Sequence, residues 1–498
     1  GLGKFFFWRR FSVMNILVVS PEAGNWTPTS PLTTAVNRMT DAFASAGTHV
    51  LTCSPFIKSK LVHPEDYHSV FQGTEKLQGK PFDIMVSEKD PLHTYIYNEE
   101  YFGRPEVYGP PDEVPYADNH LRFAFLSSAA LAYAETTGYK CQAILGHEWG
   151  GALLGALSRT VYADYAKDIP FFFTVHNITY DFHVASSEIE KIGLPPEDYN
   201  MDGYEFWGKV SLLKAGILYA TKVLFPSPGY RDAMLNTNLP GGLSGFLNRN
   251  ADKLVGVQFG VSYQVWDFNC TENLPIKEAK HRARLALQEK LGLDFKNKMI
   301  MYVHLDPESG NTSETLATIL SDVARLNVFI LVGISSKHSS DWNYYMDFAR
   351  QYPETMYLYD FDTTCNSERG VYDNDVRMLR SAMAASDVMF AASLREPSSS
   401  IILKAMAAGT LPLTGRSVGV AAMLVNYSLE TAGEANAFLV EDANAPYLML
   451  NGVKDALNVF ETERADWDKC VVNAYSGFHY EWCRTISKYL LIFGELGL

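Results

Sequence analysis

Short apolar runs alternate with amphipathic stretches through the first half of the chain. Runs of the length and composition of buried strands lie at 15–20, 48–54, 143–146, 171–175 and 223–225. Stretches with apolar residues at helical spacing lie between them, at 35–46, 127–136 and 211–220. Strands that alternate with helices in this way indicate βαβ units and a parallel sheet.

The same alternation begins again near Lys298. The predicted strands of the second half lie at 299–303, 328–333, 355–359, 388–391 and 411–414, and its predicted helices at 313–326, 344–352, 376–386 and 401–408. The segment 267–297 is charged and contains proline, which suits a connector. The pattern therefore predicts two doubly wound α/β lobes, and such lobes bind ligands in a cleft at the carboxyl ends of their strands.

Composition narrows the class of protein. The chain has 498 residues, of which 47% are hydrophobic and 20% charged, which is typical of a folded globular protein. Its formal net charge of −15 argues against binding to nucleic acid or to an anionic membrane, because both need a basic surface. No apolar run reaches the length of a transmembrane helix.

The six cysteines are dispersed, and they form neither a CxxC motif nor a cluster with zinc-ligand spacing. No metal site is therefore expected. Dispersed thiols are typical of a reducing intracellular compartment, so the cytoplasm and the plastid stroma are both expected locations.

Several longer motifs point to one family. The stretches that carry the resemblance are TVHNITYDF (174–182), GHEWGGALL (146–154), the run 193–230 with DGYEFWGKVSLLKAGILYA, ADKLVGVQFGVSYQVWD (251–267), SLREP (393–397), KAMAAGTLPL (404–413) and FHYEWCRTISKYLLIF (478–493). Together they closely resemble bacterial glycogen synthase and plant starch synthase, glycosyltransferase family five. The resemblance covers nearly the whole chain from Met14.

The resemblance implies a GT-B fold, with two Rossmann-like lobes, an interlobe cleft and a C-terminal crossover helix. On this basis the expected parts are an N-terminal tail (1–13), an N-terminal lobe (14–266), the connector (267–297), a C-terminal lobe (298–477) and a final helix that packs back on the first lobe (478–498). It also implies retaining α-1,4-glucosyl transfer to a glucan end, from ADP-glucose or UDP-glucose and without any other cofactor.

The family's motifs assign roles to individual residues. By resemblance, the candidate catalytic residues are His176, which contacts the donor sugar in the family, and Glu396, an acid near the reacting sugar. Residues with other expected contacts to substrate are Asn177, His147, Glu148, Trp149, Ser398 and Ser399.

The positions that handle the diphosphate depart from the family. Its N-terminal K-T-G-G-L loop reads Pro28-Thr29-Ser30-Pro31-Leu32 here, so the lysine and both glycines are replaced. In the second lobe, the arginine and lysine positions fall on Leu305 and Gly310. Near the end of the first lobe, an asparagine position falls on Phe259. Because proline has no N–H and fixed donors must stabilise the charge of the leaving group, these changes predict an impaired donor site.

Three functional hypotheses follow. The first is a catalytically impaired synthase-like protein that binds an α-glucan, or a protein partner such as an active synthase, as a scaffold or regulator. The second is an active glucosyltransferase with altered donor handling, in which Lys404 or Arg416 substitutes for the missing cations. The third is an assembly protein anchored by the aromatic and basic tail FFFWRRF (5–11). Glucose transfer to glycogen separates the first two hypotheses.

Overall fold

The computed structural model describes residues 13–27, 29–111, 113–306, 309–336, 339–360, 372–392 and 397–498, with the backbone alone for 372–377. These residues form two compact units. Unit 1 comprises the residues up to Phe225, Met234–Val255 and Ile486–Leu498, and unit 2 comprises Pro226–Ala233 and Gly256–Thr485. In the described part of the chain, no helix has both the length and the apolar character needed to cross a membrane.

Ten of the eighteen strands in the described residues lie at the predicted apolar runs, and the other eight were not predicted. In chain order they are β1 (Asn15–Val19), β2 (His49–Pro55), β3 (His68–Thr74), β4 (Pro81–Val86), β5 (His93–Tyr97), β6 (Ala143–His147), β7 (Phe171–Thr174), β8 (His183–Ala185), β9 (Glu205–Phe206), β10 (Lys209–Ser211), β11 (Lys222–Phe225), β12 (Leu254–Gly256), β13 (Met299–Leu305), β14 (Val328–Ile334), β15 (Met356–Asp360), β16 (Val388–Ala391), β17 (Leu411–Gly415) and β18 (Phe438–Val440). All the predicted strands are confirmed.

The helices are more numerous than the pattern predicts. They are α1 (Pro31–Ser45), α2 (Glu99–Phe102), α3 (Asn119–Thr137), α4 (Glu148–Gly151), α5 (Leu153–Arg159), α6 (Ala163–Ala166), α7 (Leu212–Tyr219), α8 (Pro228–Asn236), α9 (Ser244–Arg249), α10 (Tyr263–Trp266), α11 (Ile276–Leu291), α12 (Thr312–Val323), α13 (Trp342–Gln351), α14 (Tyr372–Ala385), α15 (Ser400–Ala407), α16 (Pro446–Thr462), α17 (Arg464–Val472) and α18 (Trp482–Glu495). The predicted helices are confirmed, although α1 and α3 begin earlier than their apolar spacing indicated.

Unit 1 is built on a mainly parallel sheet. Among the described residues its strand order is β12-β11-β7-β6-β1-β2-β5-β4-β3, with antiparallel pairing at β3–β4 and β4–β5. The register pairs His147 at the end of β6 with Thr174 at the end of β7. Phe493 of α18 packs against Phe172, with ring centroids 4.4 Å apart. A smaller antiparallel sheet has the order β8-β10-β9.

Unit 2 has a six-stranded parallel sheet in the order β15-β14-β13-β16-β17-β18. All seven residues of β14 are buried, as expected for a parallel strand covered on both faces. Helix α11, which lies in the segment expected to be a connector, carries Lys280. The buried ammonium of Lys280 donates to the backbone oxygens of Ala384 and Ala408 at the ends of α14 and α15, at 3.0 and 2.9 Å. Burial lowers the pKa of Lys280 to about 7.

Candidate functional site

Two histidines lie at the carboxyl ends of neighbouring strands in unit 1. His147 is the last residue of β6, and His176 follows β7 by two residues, so the parallel register brings the two rings together. His147 Nδ1 lies 2.9 Å from His176 Nε2, a distance at which one nitrogen donates and the other accepts. Burial lowers the pKa of His147 to about 3 and that of His176 well below its ordinary value. Both rings are therefore neutral at pH 7.

Glu148 holds this pair of strand ends together. Its carboxylate accepts the backbone N–H of His176 and, at 3.2 Å, that of Asn177. The backbone of Glu148 has a φ of +55°, which is uncommon for a residue with a side chain. The side chain is buried, and burial raises the pKa of Glu148 to about 8 despite the two N–H donors. The arrangement orients His176 and Asn177 at the end of β7.

Asn177 and Trp149 complete this cluster in different ways. Asn177 Oδ1 accepts from Thr179 N at 3.0 Å and from its hydroxyl at 2.7 Å, which turns the chain after β7. The ring of half-buried Trp149 stacks on Phe182, with centroids 4.9 Å apart and an interplanar angle of 20°. Trp149 is thus part of an aromatic wall beside the polar cluster.

The loop before α1 is organised as a helix start. Ser30 Oγ accepts the N–H of Thr33 at 3.0 Å, and Pro31 occupies the first helical turn, which explains why α1 begins before its apolar pattern. The Ser30 hydroxyl also donates to the carboxylate of Glu22. Leu32 is half-buried within the first turn of α1. Pro28, the first of the altered positions, lies outside the described residues.

Glu22 is a central residue that sequence reasoning missed. Besides Ser30, its carboxylate accepts from the Tyr108 hydroxyl at 2.8 Å and from the Thr33 hydroxyl at 3.3 Å. The signal that was available is its position directly after β1, where the carboxyl ends of parallel strands meet. Three hydroxyl donors occupy this carboxylate in the described part of the chain, and none of its donors there is a lysine or arginine.

In unit 2 the segment after β13 carries no lysine or arginine among its described residues. Leu305, the last residue of β13, is 5% exposed and packs in the apolar core of the unit. Gly310 has a φ of +60°, in the region that favours glycine. Ser309 Oγ donates to the Asp306 backbone oxygen at 2.7 Å. The segment turns sharply on itself before α12.

A chain of polar side chains that sequence reasoning missed lies beside this segment. The Tyr302 hydroxyl is 2.8 Å from His304 Nδ1 and 2.6 Å from the Tyr359 hydroxyl. His304 Nε2 is 3.4 Å from the Asp306 carboxylate. These residues alternate along β13, and the sequence signal was the period-two placement of Tyr302 and His304 in an otherwise apolar strand.

The remaining candidates of unit 2 are held by backbone contacts. Ser399 precedes α15 with a φ of +55° and is 1% exposed. The backbone oxygen of Ser398 accepts from Gln258 Nε2 at 2.7 Å. Phe259 is buried and packs on Trp482, with ring centroids 5.2 Å apart. Glu396 lies outside the described residues.

The chain is similar in sequence to starch and glycogen synthases. The family model of the starch synthase catalytic domain matches residues 15–249. The chain is 27% identical over 410 residues to a glycogen synthase from Desulfatibacillum aliphaticivorans, and the match covers 80% of each protein. It is 28% identical over 409 residues to a glycogen synthase from Albidiferax ferrireducens, covering 79% of each. The chain is therefore similar to glycogen synthases over most of its length, and its residues 15–249 match the starch synthase catalytic domain.

The fold is confirmed by a solved structure, the catalytic domain of starch synthase IV from Arabidopsis thaliana bound to ADP and acarbose. The two match with a TM-score of 0.77 at 18% identity, over 97% of this chain and 99% of that one. A sucrose-phosphate synthase from Thermosynechococcus elongatus matches with a TM-score of 0.53 at 14% identity, over 97% of this chain and 99% of that one. The two-lobe GT-B fold is therefore established.

The two basic residues considered as substitutes for the missing cations make other contacts within unit 2. Lys404 Nζ lies over the ring of Trp266, 4.6 Å from its centroid. Arg416 Nε donates to the Glu441 carboxylate at 2.6 Å. Among the described residues, no group of three His, Cys, Asp or Glu side chains has the geometry to hold a metal ion. The site residues of unit 1 are thus brought together around Glu148, whereas those of unit 2 are spread over three segments.

Proposed function

We propose that this protein is a glucan-binding member of the glycogen and starch synthase family whose glucosyl transfer is impaired, and that it acts as a scaffold or regulatory partner. The observation that carries the proposal is the burial of Leu305, because this position is the arginine of the diphosphate segment in the family. A departing nucleoside diphosphate needs fixed positive charge or oriented N–H donors. A leucine in the apolar core offers neither.

The Ser30 loop supports the same proposal. Its hydroxyl is used twice, as the cap of α1 and as a donor to Glu22, so the loop serves the fold of unit 1. Pro31 has no N–H to offer to a phosphate. The lysine of the family's loop is replaced at Pro28. The combined changes remove three of the family's positive charges from donor handling.

The second candidate function is an active retaining α-1,4-glucosyltransferase that uses ADP-glucose or UDP-glucose. The observation that favours it is the ordered cluster of His147, His176 and Glu148, which supplies neutral imidazoles and a buried carboxyl at the ends of β6 and β7. Such groups suit the recognition of sugar hydroxyls, which need both donors and acceptors.

Three measurements on one folded preparation test the proposal. Incorporation of labelled glucose from ADP-glucose and UDP-glucose into glycogen is compared with an active family member and with a heat-killed sample. Calorimetry with ADP reports donor binding, and co-sedimentation with glycogen reports glucan binding. The proposal expects no incorporation, no heat with millimolar ADP, and co-sedimentation.

Each part of the proposal has its own opposing result. Incorporation above the heat-killed control contradicts the impairment and supports the second candidate. Protein that stays in the supernatant with glycogen and with amylopectin contradicts glucan binding. The scaffold or regulatory part is tested by mixing the protein with an active synthase. It expects co-elution of the two in size-exclusion chromatography, or a changed rate of that synthase, and the absence of both contradicts it.

A further inference from the structure

A tryptophan occupies a position that the fold of unit 1 does not favour. Strands β9 and β10 pair Phe206 with Lys209, so Trp207 and Gly208 form a two-residue hairpin loop. Their φ values of +51° and +78° are those of a type I′ turn. Such turns prefer Asn-Gly, because a bulky side chain at positive φ is strained. Trp207 is nevertheless at this position, with 84% of its surface exposed.

The hairpin that carries the indole is held on several sides. Gly208 N donates to Glu205 Oε1 at 2.6 Å. Beneath the strand, Lys214 Nζ donates to the backbone oxygens of Glu205 at 2.5 Å and of Met201 at 3.0 Å. Phe206 meets the Trp207 ring edge-on, with centroids 6.2 Å apart at 80°. The tryptophan therefore projects from a fixed base.

Charged residues lie near the turn that carries this exposed ring. Glu205 and the exposed Lys209 flank the turn in the chain. The backbone oxygen of Met201 accepts from Arg249 Nη2 at 3.4 Å, and Arg249 Nε pairs with the Asp202 carboxylate at 2.9 Å. Gly242 lies close to the edge of the indole, since a Cβ there would be 3.3 Å from Trp207 Nε1. The exposed indole therefore projects from a turn that is flanked by residues with charged, hydrogen-bonding side chains.

This chemistry matches a sugar ring better than it matches a protein partner. A pyranose presents polarised C–H groups on its faces and hydroxyls around its rim, and the negative face of an indole attracts C–H groups of that kind. The centre of a protein interface is instead depleted of charged residues, whereas Glu205 and Lys209 flank the turn that carries Trp207. A neutral polymer of hexoses can stack its C–H groups on the indole and hydrogen-bond its hydroxyls to the charged side chains beside it.

We infer that Trp207 is a stacking platform for an α-glucan chain, located on the β9–β10 hairpin of unit 1. The inference rests on the proposed glucan-binding function and adds a place where the glucan is held. It also accounts for a strained tryptophan at a turn position where asparagine would be more stable.

The test compares Trp207→Asn with the wild-type protein. Asparagine keeps the preferred type I′ sequence and removes only the ring. The matched control is Tyr447→Ala, which removes an aromatic ring that is 65% exposed in unit 2. A second variant, Trp207→Phe, keeps an aromatic face. Binding is measured by affinity electrophoresis in glycogen gels and by calorimetry with β-cyclodextrin, and stability by thermal unfolding.

We expect Trp207→Asn to lose about tenfold in affinity for both glucans. This is the contribution expected of one aromatic stacking contact. The Tm of this variant should equal or exceed that of the wild type. Trp207→Phe and Tyr447→Ala should remain within about threefold of the wild type.

Two results overturn the inference while the proposed function stands. One is a Trp207→Asn protein that binds glycogen and β-cyclodextrin like the wild type. The other is unchanged glucan binding together with a change in oligomeric state on size-exclusion chromatography, which makes Trp207 a protein contact. If the wild-type protein itself binds neither glucan, the proposed function fails, and the inference fails with it. That case is recognised from the wild type alone.

Discussion

The strand ends of unit 1 and unit 2 differ in their polar residues: one carries a hydrogen-bonded polar cluster, and the other carries a buried leucine. At the ends of β6 and β7, His147, Glu148 and His176 hold one another through hydrogen bonds. At the end of β13, Leu305 lies in the core instead. A buried network resists change because each lost partner leaves another unsatisfied. A single cation at a strand end can be replaced when the new side chain packs in the core.

The largest expected effect is that of Leu305→Arg, which introduces the cation that the proposed function assigns to this position in the family. If the position is now a true core site, the variant should lose about 3–5 kcal/mol of unfolding free energy, since an unpaired charge would be buried. Leu305→Met should lose less than about 1.5 kcal/mol. Urea unfolding measures both. An arginine variant as stable as the wild type that also binds ADP would show that the segment remains adaptable.

The unit 1 side of the comparison is tested at Glu148. Glu148→Ala leaves the N–H groups of His176 and Asn177 without their acceptor, so we expect a loss of about 2–3 kcal/mol of unfolding free energy. Glu148→Gln keeps an acceptor oxygen and should lose under about 1 kcal/mol at pH 6.5. Equal unfolding free energies for Glu148→Ala and the wild type would mean that the cluster does not hold itself together.

The pKa values of the cluster predict a dependence of stability on pH. Glu148 has a pKa of about 8 when folded and ionises near 4.5 when unfolded, so its contribution is full below 4.5 and is lost as the pH rises to 8. The depressed pKa of His147, about 3, acts in the opposite sense, and only below its ordinary value of 6.5. Between pH 6.5 and 8, Glu148 is therefore the member of the cluster that determines how the unfolding free energy changes with pH.

Over that window the wild type should lose about 1–2 kcal/mol of unfolding free energy relative to Glu148→Gln. Urea unfolding of both proteins at pH 6.5 and pH 8 measures the difference. Parallel pH profiles for the two proteins would mean that Glu148 is ionised throughout the window, and its role would then be that of an anion among backbone donors.

The smallest expected effect is at the loop before α1. Ser30→Ala removes the cap of the helix and one donor to Glu22, which should lower the unfolding free energy by about 1 kcal/mol. Ser30→Asn, which can also cap a helix, should recover most of that loss. Thermal unfolding with ADP present and absent separates the two roles of the loop. If ADP stabilises the wild type but not Ser30→Ala, the loop takes part in ligand binding.

Much of the fold followed from local pattern, and most of the site did not. Buried parallel strands such as β14 are apolar throughout, so they are evident in the sequence. The pairing of His147 with His176 depends on register across 29 residues of chain. The role of Glu22 depends on Tyr108, which is 86 residues away. Contacts of this kind have no periodic signature, and they were seen only where a family motif preserved the residue.

Lys280 couples the local unfolding of two helix ends in unit 2. One ammonium group satisfies carbonyls at the ends of both α14 and α15, and the Thr410 hydroxyl 3.0 Å from it donates to the Met383 backbone oxygen. If the last turn of either helix frays, the lysine loses acceptors that keep its charge tolerable in a buried place. The two helix ends therefore open together or not at all, and this part of unit 2 behaves as one cooperative block in hydrogen exchange.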